Sequence, residues 1–150
     1  MNHEHFIDIA IEEAKRAMDE GEFPVGAVIT DGRTIISKAH NLVYSTKDPT
    51  AHAEILAIRE ASRKLGNWQL GGLTLYATLE PCIMCASAAV IARLESIVYV
   101  LREPRFGGVY SLYQIPTDIR LNHTVRVIKL NYREEEIRQM VRRYFDKLRE

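Results

Sequence analysis

The sequence has little cysteine, no long apolar run and no net charge. Its 150 residues include only two cysteines, Cys82 and Cys85, too few for the disulfide framework of a small secreted protein. No segment approaches the ~20 apolar residues that cross a bilayer, and residues 1–20 are charge-rich where a signal peptide would be apolar. Twenty basic and twenty acidic residues cancel, so composition gives no general affinity for polyanions. We therefore expect a cytoplasmic protein that does not bind membranes.

The rest of the composition is that of a globular domain. Hydrophobic residues make up 47% of the chain and charged residues 27%. A chain of this length buries a sizeable core as one domain but not as two. We expect residues 1–150 to form a single domain.

The hydrophobic pattern predicts an α/β fold. A helix is expected to end near Gly21, and two antiparallel strands flank the hairpin signal Asp31-Gly32. Further strands are predicted at 73–79, 96–101 and 124–130, further helices at 51–65, 81–93 and the C-terminus, and a long irregular segment with at most one short helix at 103–119. The apolar face of the C-terminal helix carries Ile137, Met140, Val141, Tyr144 and Leu148. This order predicts a three-layer α/β/α sandwich around a mixed five-stranded sheet.

Two half-motifs contain the residue types of a metal site. His52-Ala53-Glu54 begins one predicted helix, and Pro81-Cys82-Ile83-Met84-Cys85 begins a later one. Cysteines three residues apart share a helical face and can bind one ion as thiolates, which Zn²⁺ accepts. With His52 as the third ligand, the fourth tetrahedral position is open to water, as in catalytic zinc sites. We predict Zn²⁺ bound by His52, Cys82 and Cys85.

Glu54 is the candidate catalytic residue. Residues two apart on a helix point about 200° apart, so His52 and Glu54 converge only if the helix meets the site with its N-terminal end. A carboxylate placed there can take a proton from water and hand it to a substrate.

Other interpretations of these motifs stay open. Cys82 and Cys85 alone would suit a redox pair, and a fourth ligand from His40 or His123 would make the zinc site structural. A redox pair leaves His52 and Glu54 unexplained. A zinc-stabilised RNA-binding module has no need of the Glu54 carboxylate. We favour a catalytic zinc.

These motifs resemble the cytidine deaminase superfamily over nearly the whole chain. The pattern H-x-E…P-C-x-x-C is the signature of zinc-dependent base deaminases. The matching stretches are residues 22–28, 40–41, 48–54, 78–85 and 122–123. Within the superfamily the chain is most similar to the bacterial tRNA-specific adenosine deaminases, although small guanine deaminases share the 48–54 stretch.

The resemblance implies a reaction and residue roles. It implies a homodimeric, zinc-dependent hydrolase that converts adenosine to inosine at the wobble position of a tRNA anticodon, with Glu54 as the proton shuttle. Asn41 would hydrogen-bond the nucleoside, and Val25 and Leu79 would form apolar walls. All three also fit plain structural roles in a turn or a core strand. Deamination of a free nucleobase or nucleoside such as guanine or cytosine is the alternative function.

The loop at 101–111 departs from the family pattern, in which many relatives have aspartate at the position of Glu103 and lysine at that of Arg105. Arg102 and Arg105 can contact phosphate, and Phe106 and Tyr110 can stack on unpaired bases. We expect Glu103 and Arg105 to contact the substrate, with a solvated charged loop as the alternative.

The C-terminal helix is a second candidate surface for RNA. Between 137 and 149 it carries five basic residues against Asp146 alone. Basic residues interleaved with aromatics suit nucleic acid, and Tyr144 and Phe145 lie where the resemblance implies aromatics near the RNA. We expect a tRNA anticodon stem-loop as the partner, contacted by Tyr144 and Phe145.

Overall fold

A five-stranded mixed sheet forms the middle layer of the protein in a computed structural model, which describes residues 2–150. The elements are α1 (His3–Asp19), β1 (Gly26–Thr30), β2 (Ile35–His40), α2 (Val43–Thr46), α3 (Ala53–Leu65), β3 (Thr74–Leu79), α4 (Ile83–Ile91), β4 (Ser96–Leu101), β5 (Arg126–Lys129) and α5 (Glu134–Leu148). The strand order is β2-β1-β3-β4-β5. β1 is antiparallel to β2 and β3, whereas β3, β4 and β5 run parallel. The predicted mixed sheet is confirmed.

Helices cover both faces of the sheet. Successive side chains of a strand point to opposite faces, so Leu75 and Tyr76 of β3 belong to different apolar clusters. The Tyr76 cluster includes Ile11 of α1 and Met140 of α5. The Leu75 cluster includes alanines of α3 and α4, among them Ala57. The predicted three-layer α/β/α sandwich is therefore confirmed.

Residues 103–119 form turns without a helix, in agreement with the predicted irregular segment. Two details differ from the sequence predictions. The four-residue helix α2 was not predicted, because it is too short to show helical periodicity. It is stabilised from a distance, since the backbone N–H groups of Tyr44 and Ser45 donate to the buried Glu22 carboxylate. Leu148 is 58% exposed, because α5 packs onto the sheet mainly through Ile137 and Met140.

Among residues 2–150, no helix is both long and apolar enough to cross a membrane.

Candidate functional site

The N-terminal ends of α3 and α4 form the candidate site. His52 immediately precedes α3 and Cys82 immediately precedes α4, both with extended backbone. Neither side chain caps its own helix, which leaves the imidazole and the thiol available to each other. Glu54 and Cys85 lie in the first turns of the two helices. The end-on approach that allows His52 and Glu54 to converge is therefore present.

His52, Cys82 and Cys85 have the spacing of a zinc site. The Nδ1 atom of His52 lies 3.5 Å from the Sγ atoms of Cys82 and of Cys85, and the three ligand atoms all lie within 4.8 Å of one another. Tetrahedral zinc with Zn–S near 2.3 Å and Zn–N near 2.1 Å separates sulfur from nitrogen by about 3.6 Å. The donor atoms and their separations thus fit Zn²⁺.

The ionisation of the thiols also suits a metal. Hydrogen bonds with Cys85 and His52 lower the pKa of Cys82 to about 4. The hydrogen bond with Cys82 and burial raise the pKa of the Cys85 thiol. The lowered pKa of Cys82 favours the thiolate, which is the form that binds metals.

Glu54 is a buried carboxyl group beside these ligands. Its exposed fraction is 4%, and burial raises its pKa to about 7 despite a hydrogen bond with Cys85. An acid or base transfers protons most effectively when its pKa lies near the working pH. The position and chemistry of Glu54 suit proton transfer next to the ligands.

A cavity of about 410 Å³ adjoins the ligands. Its lining residues are Phe23, Val25, Asn41, His52, Ala53, Glu54, Leu79, Glu80, Cys82, Glu103, Arg105, Phe106 and Phe145. The lining therefore brings together most of the predicted site residues. The exceptions are Cys85, which is fully buried behind the lining, and Tyr144, which packs edge-on against Phe23 with ring centroids 5.1 Å apart.

A family model for the cytidine and deoxycytidylate deaminase zinc-binding region matches residues 1–101. The chain belongs to this deaminase family. A tRNA-specific adenosine deaminase of Aquifex aeolicus (strain VF5) is 48% identical over 149 residues, which cover 99% of this chain and 97% of that protein.

Two solved structures extend the comparison. One comes from a study of A-to-I editing by tRNA:A34 deaminases at the wobble position of transfer RNA. It has a TM-score of 0.86 and 36% identity, covering 91% of this chain and 98% of the other. The other, guanine deaminase from Bacillus subtilis, has a TM-score of 0.66 and 33% identity, covering 95% and 94%. The deaminase fold is thus shared by proteins that act on different substrates.

Two hydrogen bonds to backbone groups position Asn41 in the deaminase cavity. Its backbone N–H donates to the Val25 carbonyl, and its Oδ1 accepts from the Val43 N–H at 3.1 Å. Because Oδ1 is already engaged by the backbone, the amide NH₂ is the group left for a ligand.

The mouth of the cavity joins the 103–111 loop to α5. Nε of Arg105 lies 3.1 Å from the Glu103 carboxylate, and its guanidinium lies over the Phe145 ring, 4.6 Å from the centroid. Phe145 in turn packs against Phe23 at 5.7 Å. Arg105 therefore contacts both the predicted loop residue Glu103 and the predicted helix residue Phe145.

The basic residues of α5 divide into two groups. Arg138 pairs with Glu134 and Glu135, and Arg149 pairs with Asp146, so these two cations are partly neutralised. Arg142, Arg143 and Lys147 are exposed. Arg142 lines a groove that shares Phe145 with the cavity, whereas Arg143 lines a separate groove against α1.

The other histidines proposed as ligands lie elsewhere. His40 hydrogen-bonds Glu13 and Glu20, and Nε2 of His123 bonds the Leu94 carbonyl. Within residues 2–150, the metal-ligand cluster contains only His52, Cys82 and Cys85. The geometry favours an open site over a structural four-ligand site.

Sequence reasoning did not single out three lining residues, namely Phe23, Ala53 and Glu80. Phe23 and Glu80 lie inside stretches that carry the family resemblance, but nothing in the sequence indicated that they line the cavity. A charged residue between a buried strand and the Pro-Cys pair is the signal that marks Glu80.

Proposed function

We propose that the chain is a zinc-dependent deaminase that converts adenosine to inosine at the wobble position of a tRNA anticodon. The observation that carries the chemistry is the three-ligand group of His52, Cys82 and Cys85, with the Glu54 carboxyl beside it in one cavity. The RNA substrate is supported by the full-length similarity to the Aquifex aeolicus tRNA-specific adenosine deaminase.

The residues divide the work of hydrolysis. His52, Cys82 and Cys85 would hold Zn²⁺, which when bound supplies a nucleophilic water at neutral pH. The Glu54 carboxylate takes one proton from the attacking water and gives it to the ring nitrogen N1. It then takes the second proton from the new C6 hydroxyl and gives it to the departing amine, which leaves as ammonia. Adenosine and water thereby yield inosine and ammonia.

The cavity walls select and hold the base. Val25 and Leu79 offer apolar surfaces, and the Asn41 amide NH₂ donates a hydrogen bond. A volume of about 410 Å³ lies within the range of small-molecule sites, about 300–1,000 Å³. At the mouth, Arg105 and Phe145 contact nucleotides flanking the target, because a base removed from a stack needs stacking partners.

The decisive experiment compares RNA with free bases. The purified protein is incubated with an anticodon stem-loop carrying adenosine at the wobble position and, in parallel, with guanine, cytosine and adenosine, while ammonia is measured. We expect release from the stem-loop alone. Release from guanine or cytosine alone would replace the RNA substrate with a free base.

A salt titration tests the RNA surface independently. Each phosphate contact contributes about 0.7–0.9 to the slope of log K against log salt. We expect Arg142→Ala to weaken stem-loop binding and flatten this slope by about that amount, since Arg142 lies in the groove next to Phe145. Arg143→Ala, in the separate groove against α1, is the matched control and should leave the slope nearly unchanged. The double variant removes both cations. Equal binding of the double variant and the parent at every salt concentration would remove α5 from the RNA surface.

We also infer that residues 1–150 act as one deaminase domain, that the protein works in the cytoplasm on its tRNA, and that it forms a homodimer. Exposed apolar residues on α4, Ile83 and Ile91, support burial against a second copy. Sedimentation equilibrium tests the dimer, and a monomer at all concentrations would exclude it.

A further inference from the structure

We propose that Glu80 is a positioning residue that holds the 103–111 loop as a preformed wall of the cavity. Glu80 follows β3 and precedes the Pro81-Cys82 pair. The kinetic part of this inference rests on the proposed RNA substrate, and the structural part does not.

Five donors converge on the Glu80 carboxylate. Oε2 accepts from the backbone N–H groups of Val109, Tyr110 and Ser111 at 3.2, 2.8 and 2.9 Å. Oε1 accepts from the backbone N–H of Glu103 at 3.0 Å and from the Ser111 hydroxyl. One side chain thus binds both ends of the loop. The segment between those ends carries Arg105 and Phe106 of the cavity wall.

The loop encloses the carboxylate closely. A methyl group at Gly107 would lie 2.3 Å from Oε2 of Glu80, and one at Gly108 would lie 2.7 Å from the Ile83 Cα atom. Two backbone hydrogen bonds join the loop to the turn that precedes α4, from Gly108 N–H to the Pro81 carbonyl at 2.9 Å and from Ile83 N–H to the Phe106 carbonyl at 3.2 Å. Glycine is needed at both positions for this close approach.

Glu80 acts through the loop rather than on the substrate. Its exposed fraction is 2%, and both of its oxygens are occupied by internal donors. A glutamine at this position has one acceptor oxygen, and its NH₂ group would face N–H donors. Buried donors without partners are costly, so Glu80→Gln should release the loop.

The test combines hydrogen exchange with kinetics on Glu80→Gln. We expect the amides of residues 109–111 to exchange at least about tenfold faster. KM for the stem-loop should rise about tenfold or more, because displaced contacts lose binding, while kcat changes by less than about threefold. Zinc content, measured by atomic absorption, should equal that of the parent. Glu80→Asp keeps both acceptors on a shorter side chain and should give intermediate values.

Two variants keep the test interpretable. Glu13→Gln removes a buried carboxylate from α1, on the opposite face of the sheet, and should leave exchange at 109–111 unchanged. Ser111→Ala removes one of the five donors and should shift exchange and KM in the same direction by about two- to fivefold. It decides the matter if Glu80→Gln does not fold.

Different failures have different meanings. Unchanged exchange and KM in Glu80→Gln, or zinc loss with unchanged exchange, would overturn the role of Glu80 in the loop. If the unaltered protein does not deaminate the stem-loop, the proposed function fails, while exchange at 109–111 still decides whether Glu80 holds the loop.

Discussion

The metal-ligand turns and the 103–111 loop border the same cavity but are built differently. His52 and Cys82 each stand directly before a helix, and Glu54 and Cys85 follow within the first turn. The positions of these four residues are set locally, by where α3 and α4 begin. The loop depends on Glu80, whose partners lie 23 to 31 residues away in sequence.

This difference separates two tasks. The helix starts carry the metal-ligand group and the buried Glu54, whereas the loop and α5 border the mouth of the cavity. Substitutions in the first region, at the helix starts, should therefore lower the zinc content or kcat. Changes in the second should act on substrate binding and leave zinc in place.

The largest effect should come from removing a ligand. Cys85→Ala leaves two protein ligands, which rarely hold zinc, so stoichiometric zinc and deamination should both be lost. The control is His123→Ala, since His123 bonds the Leu94 carbonyl outside the site. Full zinc occupancy in Cys85→Ala would contradict the ligand assignment.

Glu54→Gln should separate catalysis from metal binding within the first region. Glutamine keeps the size of the side chain but cannot shuttle protons, so kcat should fall by about 100-fold or more. Zinc content should not change. Ammonia release at the parental rate would remove Glu54 from the mechanism.

In the second region, Phe145 and Tyr144 should differ. Phe145 lines the cavity and contacts Arg105, so Phe145→Ala should weaken stem-loop binding by about 1–3 kcal/mol, the cost of a lost stacking contact. Tyr144 instead supports Phe23, and Tyr144→Ala should cost about 1 kcal/mol or less. Titrations of a labelled stem-loop measure both values. A larger loss for Tyr144→Ala would reverse the assignment of the two rings.

The smallest effect should be a pH dependence of stability outside both regions. Burial lowers the pKa of His40, but hydrogen bonds to Glu13 and Glu20 outweigh burial and hold the pKa above its usual value. Arg16, which pairs with Glu13, and the nearby Glu22 complete the charged surroundings. Because the folded state binds this proton more tightly, its stabilising contribution is fully present below the unfolded pKa and is lost as pH rises through the folded pKa.

The measurement is the free energy of unfolding of the parent and of His40→Gln in urea, between about pH 5 and pH 9. The difference in free energy of unfolding between the parent and His40→Gln should narrow as pH rises above the ordinary histidine range. An advantage that stays constant or grows with pH would show that His40 is not held in its charged form.

Sequence reasoning succeeds where a structure is encoded by neighbouring residues. The hairpin at Asp31 was predictable because its carboxylate accepts from the backbone N–H groups of Arg33 and Thr34, which is ordinary turn chemistry. The sheet and the order of its strands and helices likewise followed from local periodicity. The two halves of the metal-ligand motif were also recognisable in the sequence, because each lies at the start of a predicted helix.

The loop could not be predicted, because its conformation is fixed by distant partners. No local pattern shows that Glu80 binds Glu103 and Ser111. The same holds for α2, which depends on Glu22, and for Tyr144, whose position follows from the packing of Phe23. Long-range contacts of this kind become visible only in the folded chain.

The way the loop is anchored bears on how the substrate range of such an enzyme can evolve. The Glu80 carboxylate binds backbone groups at the two ends of the loop, whereas the Arg105 and Phe106 side chains, 54% and 61% exposed, lie at the mouth of the cavity. Exchanges at exposed positions usually change stability by only about 0.5 kcal/mol. Selection can therefore vary the side chains at positions 105 and 106 while Gly107, Gly108 and the hydrolytic centre stay fixed. New specificities become accessible without rebuilding the chemistry.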